Sequence, residues 1–126
     1  MKHIEVVAAV IVMDGLYLAT QRADGEFMGL WEFPGGKIEV GESHSEALCR
    51  EIMEELNVEV SIDKHICKSE WEYPSFVVTI HSYMCSIIKG EVEMRVHSDA
   101  RWLDIDSLYD VEWIPADVEI VNRIRL

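Results

Sequence analysis

Three glutamates, Glu51, Glu54 and Glu55, stand at spacings that place them together if the surrounding stretch is helical. Residues at i, i+3 and i+4 project from one side of a helix with Cβ atoms about 5–6 Å apart. Two carboxylates at that distance repel by roughly 0.7 kcal/mol in water and about 3 kcal/mol at an effective dielectric near 20. Arg50 is able to pair with Glu46 or Glu54 along the helix, but one guanidinium cannot neutralise the group. A solvated acidic helix face has the same appearance and is common. A cluster of oxygen donors also suits hard cations such as Mg²⁺ or Mn²⁺, and the preceding Gly35-Gly36 adds a point where the backbone turns sharply and closely approaches a ligand or ion.

The helix itself is well marked. Ser43 followed by Glu46 fits a capping box at its start. Leu48, Cys49, Ile52, Met53 and Leu56 share a broad apolar face expected to bury. Asn57 stands where a left-handed C-terminal residue is wanted.

Around it the chain alternates strand and turn signals. Ile4 to Met13 reads as a buried strand, Asp14-Gly15 as a hairpin turn and Leu16 to Thr20 as the returning strand. Arg22 to Gly29 reads as a loop, and Trp31 to Phe33 as a short strand ended by Pro34-Gly35-Gly36. Beyond the helix, Val58 to Ile62 predicts a strand, Asp63 to Lys68 a connection, and Phe76 to Ile88 a central strand. Lys89-Gly90 reads as a turn, with short strands at Glu91 to Met94 and Ala100 to Leu103. One helical turn is expected at Asp106 to Tyr109 and a terminal helix at Asp117 to Ile124. Mixed strands with two separated helices predict an α/β sandwich.

Composition narrows the function classes. The 126 residues fit one domain (1–126), and 49% are hydrophobic, enough for a core without disulfides. A net charge of −13 repels nucleic-acid backbones and anionic membranes, which argues against a polymer-binding or membrane-surface module. The same charge repels a phosphate substrate unless a metal intervenes. The apolar run from Val6 to Met13 is too short to span a bilayer. Met1-Lys2-His3 leads into a strand-like run carrying Glu5, which does not read as a secretory signal. Cys49, Cys67 and Cys85 have no paired spacing and are expected as free thiols in a reducing cytoplasm.

The stretch from Gly36 to Val58 resembles the Nudix box, GX5EX7REUXEEXGU with U aliphatic. Gly36, Glu42, Arg50, Glu51, Ile52, Glu54, Glu55 and Val58 meet its fixed positions, and Asn57 replaces the last glycine. The runs GLWEFPGGKIEVGE, TQR and WIPAD are similar to the MutT branch, which includes oxidised-dGTP and CTP pyrophosphohydrolases. The resemblance implies a Nudix-type α/β/α sandwich with a mixed, curved β-sheet and two main helices. It implies Mg²⁺-dependent hydrolysis, with Mn²⁺ as a substitute, of a nucleoside triphosphate to monophosphate and pyrophosphate. The expected setting is a cytoplasmic monomer or homodimer acting on nucleotides.

Carried over residue by residue, the resemblance assigns metal ligation to Glu51, Glu54, Glu55 and the Gly35 carbonyl. Arg50 would orient the glutamates and Glu42 would support it from the loop. Glu51 would accept the attacking water's proton, since crowding among carboxylates raises a pKa towards that of a working base. Arg22, Phe33, Asp117 and Lys37 would bind substrate. Arg22 also reads as a solvated loop charge, and Asp117 as the N-cap of the last helix. An aspartate in place of the MutT asparagine accepts hydrogen bonds without donating; the resemblance to CTP-hydrolysing relatives, which also carry aspartate there, implies a pyrimidine or a relaxed choice of base. Phe76 stands near the position where MutT proteins carry an arginine that helps recognise the oxidised base, a departure that weakens an oxidised-dGTP assignment. Trp71, Tyr73 and Trp113 read as core aromatics or stacking surfaces, and His44 as a surface residue rather than a ligand.

Many relatives place another metal-binding glutamate six residues before the tryptophan matching Trp102; here Val96 occupies that position, flanked by His97, with Glu91, Glu93 or Asp99 as substitutes. Hydrolysis of ADP-ribose or dinucleoside polyphosphates remains open, because the box fixes the chemistry rather than the attached group. A nucleotide-sensing module without catalysis fits less well, since all the box glutamates are kept.

Overall fold

The computed structural model describes residues 1–126. Its strands are β1 (Lys2–Met13), β2 (Leu16–Arg22), β3 (Trp31–Glu32), β4 (Gly35–Lys37), β5 (Glu59–Glu72), β6 (Phe76–Lys89) and β7 (His97–Leu103). Two α-helices, α1 (His44–Leu56) and α2 (Val118–Ile124), complete it, with 3-10 turns at Leu108–Asp110 and Pro115–Asp117.

β1 organises the sheet because its length lets it pair with several partners. It runs parallel to β6 from Lys2↔Phe76 to Ile11↔Cys85. Its residues Val6 to Ala8 pair antiparallel with β4, and Val12 and Met13 with β2. The path β3-β2-β1-β6-β5 carries β4 on β1 and β7 on β2. The sheet is therefore mixed, with β6 central, as the sequence predicts.

The two-residue period of a strand sends β1 side chains to opposite faces. Val7, Ala9 and Ile11 pack with Ala47, Leu48, Ile52 and Leu56 of α1. Ala8 and Val10 join Trp31, Phe33 and Trp113 with Ile120 and Val121 of α2. The helices thus cover separate faces, giving the expected sandwich.

Local chemistry explains the ends. Asp14 and Gly15 have φ of 53° and 77°, the positive pair that a tight hairpin between twisted strands requires. Ser43 Oγ accepts from the Glu46 N–H at 3.1 Å, and Glu46 Oε1 accepts from the Ser43 N–H at 2.9 Å. Asn57, at φ 56°, ends α1 by donating to the Met53 carbonyl at 3.1 Å.

Several boundaries differ from the sequence reading. β5 is continuous to Glu72, and the expected connection at 63–68 is strand, with register shifts at 62/64 and 65/67. These bulges carry the exposed Asp63, Lys64 and Lys68 through an edge strand without breaking its pairing. Glu91 to Met94 is not a strand: Glu93 and Arg95 donate to the Leu56 and Glu55 carbonyls at the end of α1. β7 begins at His97, three residues before the expected Ala100. Gly35 and Gly36 lie in β4 instead of a turn. Met53, expected to bury, is 41% exposed because the core meets α1 along Leu48, Ile52 and Leu56.

Candidate active site

α1 presents its acidic face towards β4. Arg50 holds the arrangement: Nε meets Glu42 Oε2 at 2.6 Å, Nη2 meets Glu42 Oε1 at 2.9 Å, and Nη1 meets Glu51 Oε1 at 2.8 Å. Nη2 also donates to the Lys37 carbonyl at 3.1 Å, tying the helix to β4. Two-point pairing of a planar guanidinium fixes direction as well as distance. It holds the Glu42 carboxyl below its usual pKa and raises that of Arg50. The partners of Arg50 include Glu54 at 3.4 Å, but not Glu46.

The close fit of β4 against α1 requires glycine. A Cβ on Gly36 would stand 2.5 Å from the Glu51 carboxyl carbon. A Cβ on Gly35 would collide with the Val7 backbone of β1. Close approach, rather than a turn, is the reason for the pair.

Two adjoining cavities open here. The smaller, about 290 Å³, is polar and lined by Arg22, Glu32, Gly35, Glu51, Glu55 and His97 among others. The larger, about 430 Å³, is mainly apolar; Arg22, Phe33, Lys37, Tyr73, Phe76 and Asp117 are among its lining residues. Arg22, Glu32 and Gly35 line both.

Glu51, Glu55 and Gly35 therefore come together as expected. Glu54 is apart from them, its side chain 59% exposed, and Glu42 acts on Arg50 from outside both cavities. Of the residues expected to bind substrate, Arg22 pairs through Nη1 with Glu32 Oε1 at 2.9 Å and is not a free loop charge. Phe33 stacks on Trp113 with ring centroids 4.5 Å apart. Lys37 is exposed at the mouth of the larger cavity. Asp117 makes no side-chain cap to α2; its Oδ2 accepts from the Phe33 N–H at 2.8 Å. Burial first, then the nearby Glu32, push its pKa up to about 7 against the opposing effects of the Phe33 N–H and Arg22.

Glu32 and His97 belong to the site but were not singled out as site residues from sequence. His97 Nε2 lies 3.0 Å from Glu32 Oε2 and 3.6 Å from Glu55 Oε1. No spacing within β7 signals the placement of His97. A register irregularity between Gln21 and Arg22 sets Arg22 opposite His97, so His97 turns inward while Val96 is 55% exposed. Glu91, Glu93 and Asp99 line neither cavity.

Glu55 Oε2 is buried without a hydrogen-bond partner. Burial and the neighbouring Glu51 and Glu32 raise the Glu55 pKa. An unpartnered carboxylate oxygen among like charges is the environment that a cation relieves. No three carboxylate, imidazole or thiol groups enclose one point as the side chains stand.

The NUDIX domain profile matches residues 1–123. The chain is 34% identical over 123 residues to the CTP pyrophosphohydrolase of Escherichia coli K12, covering 97% of this chain and 91% of that protein. It is 36% identical over 115 residues to the putative 8-oxo-dGTP diphosphatase 2 of Mycobacterium tuberculosis H37Rv, covering 89% and 81%. The solution structure of the E. coli ORF135 protein superposes with a TM-score of 0.85 at 33% identity, covering 98% of this chain and 89% of that one. The chain belongs to the Nudix family and is a MutT-like hydrolase. No helix is long and apolar enough to cross a membrane.

Proposed function

We propose that the chain hydrolyses a nucleoside triphosphate to the monophosphate and pyrophosphate, with CTP or a modified dCTP as the preferred class. The observation that carries this reading is the contiguity of the two cavities: a polar one beside Glu51 and Glu55, and an apolar one closed by Phe33 and Asp117, with Arg22, Glu32 and Gly35 between them. A volume of about 430 Å³ lies within the range of small-molecule sites. The base would enter the apolar cavity and the triphosphate would extend to the acidic one.

A divalent ion, Mg²⁺ or Mn²⁺, held by Glu51, Glu55 and the Gly35 carbonyl, with Glu54 joining only by turning in from its exposed position, would supply positive charge against the phosphoryl oxygens and ease deprotonation of the attacking water. Glu51 accepts that proton on its carboxylate, with Arg50 Nη1 fixing the group at 2.8 Å. Glu42 keeps Arg50 aimed by occupying Nε and Nη2. Lys37 and Arg22 offer positive charge to phosphate at the mouth of the larger cavity. Asp117 uses Oδ2 for Phe33, leaving Oδ1 to accept from an exocyclic amine or ring N–H. Cytosine presents that amine. An oxidised guanine presents ring N–H groups, and the relative named for 8-oxo-dGTP makes that the second reading.

The test is a panel of CTP, methylated dCTP, UTP, 8-oxo-dGTP, ADP-ribose and a dinucleoside polyphosphate with Mg²⁺, ranked by kcat/KM. A preference for CTP-class substrates supports the proposal; a preference for ADP-ribose or the dinucleotide defeats it.

A further inference from the structure

Glu32 has both carboxylate oxygens engaged, each from a different strand. Oε1 accepts from Arg22 Nη1 of β2 at 2.9 Å, and Oε2 lies 3.0 Å from His97 Nε2 of β7. The 3.6 Å from that nitrogen to Glu55 Oε1 is too long for a hydrogen bond. His97 Nδ1 is buried without a partner, so the ring's one hydrogen bond goes to Glu32, with Nε2 donating to the carboxylate. The Glu32 backbone is pinned as well, its carbonyl accepting from Thr20 Oγ1 at 3.0 Å.

We infer that His97 is a positioning residue for substrate binding: it holds Glu32, and Glu32 holds Arg22 at the junction of the two cavities, where the arginine meets the phosphate nearest the nucleoside. This rests on the hydrolytic reading given above, since it takes Arg22 as a phosphate contact.

Exposure rises along this chain of contacts: the side chains of His97, Glu32 and Arg22 are 3%, 15% and 36% exposed. The buried ring is therefore the fixed end, and the arginine is the end that meets the cavities. Arg22 lines both of them, and its Nε is buried without a partner, so a donor remains for a phosphate oxygen. A long side chain at that exposure samples several rotamers unless it is held. Holding it in advance lowers the entropy lost when the substrate arrives. Without the ring, Glu32 Oε2 would lack a donor in a largely enclosed place, and the carboxylate would be free to turn from Arg22. A histidine that only filled space would not couple to Arg22.

The experiment pairs calorimetric binding of CMP and cytidine with CTP kinetics, using the full-length native protein, His97→Leu, His97→Gln, Arg22→Ala and the His97→Leu, Arg22→Ala double variant. His97→Leu is expected to weaken CMP binding about tenfold and cytidine binding less than about twofold, and to raise KM for CTP about tenfold with kcat within about threefold. His97→Gln, whose amide donates from the place of Nε2, should bring CMP binding back to within about threefold of native. In the Arg22→Ala background, His97→Leu should cost less than about twofold further, because Glu32 has no arginine left to hold. If His97→Leu does not fold, ¹⁵N-histidine NMR of the native protein decides the first link: a proton on Nε2 is expected, and its absence there overturns the inference. Additive losses, equal weakening of CMP and cytidine, or a fall confined to kcat overturns the positioning role and leaves the hydrolase reading standing. Native protein that neither binds CMP nor turns over CTP overturns both.

Discussion

The α-carbon of Gly36 abuts the carboxylate of Glu51, so that a methyl group added there would stand 2.5 Å from the Glu51 carboxyl carbon and from Oε2. The added atom meets a side chain rather than backbone, so the protein can relieve the clash by moving the proposed base. Gly36→Ala is expected to keep the fold, checked by circular dichroism, while kcat falls about 100-fold because small displacements of a reacting group cost that much. Near-native kcat would show that Glu51 need not hold this position.

Arg50 engages Glu42 and Glu51 with three short bonds from one rigid fork. Lysine supplies charge but not the fork. Arg50→Lys should lower kcat about 10–100-fold with KM changed less than threefold. A change confined to KM would indicate substrate binding instead of orientation.

Asp117 combines a stability cost with a recognition role. Its ordinary value of 3.8 rises to about 7 in the fold, chiefly through burial. The folded protein therefore holds a proton that the unfolded chain has lost between pH 4 and 7, and stability declines as pH rises through that window. Asp117→Asn keeps an acceptor for the Phe33 N–H and removes the buried charge. The variant should match the native protein near pH 4 and exceed it near pH 8, by on the order of 1–4 kcal/mol. With the amide oxygen on Phe33, its NH₂ faces the cavity, so the UTP to CTP ratio of kcat/KM should rise about 10–100-fold. Denaturant melts across pH and paired kinetics check both parts. Unchanged base preference would remove Asp117 from base recognition.

Metal binding should also appear in stability. At tenfold over its Kd an ion that binds only the folded state adds about 1.4 kcal/mol, a Tm rise of about 4–6 °C for a chain of this size. Glu55→Gln should lose most of that rise while melting higher than the native protein without metal, because a buried carboxyl among like charges is gone. Equal rises in both proteins would place the ion elsewhere.

The features legible in the sequence were those set by short-range chemistry. Ser43 with Glu46, Asn57 and Asp14-Gly15 each satisfy backbone demands within four residues, and all three appear as read. The mixed sheet and the convergence of Glu51 and Glu55 with Gly35 were likewise legible from the box. Features set by distant partners were not. β5 continues past Ile62 because β6 supplies a pairing edge that outweighs the polarity of residues 63–68. Asp117 looks like a cap locally, but Phe33, 84 positions away, claims its carboxylate. His97 turns inward because of a register irregularity opposite Arg22, which no spacing within β7 could announce.

Phosphorus NMR of CTP turnover with Mg²⁺ addresses the central claim directly. The account predicts CMP and pyrophosphate in equal amounts, abolished by Glu51→Gln. Release of orthophosphate with CDP, or undiminished turnover in that variant, would contradict it.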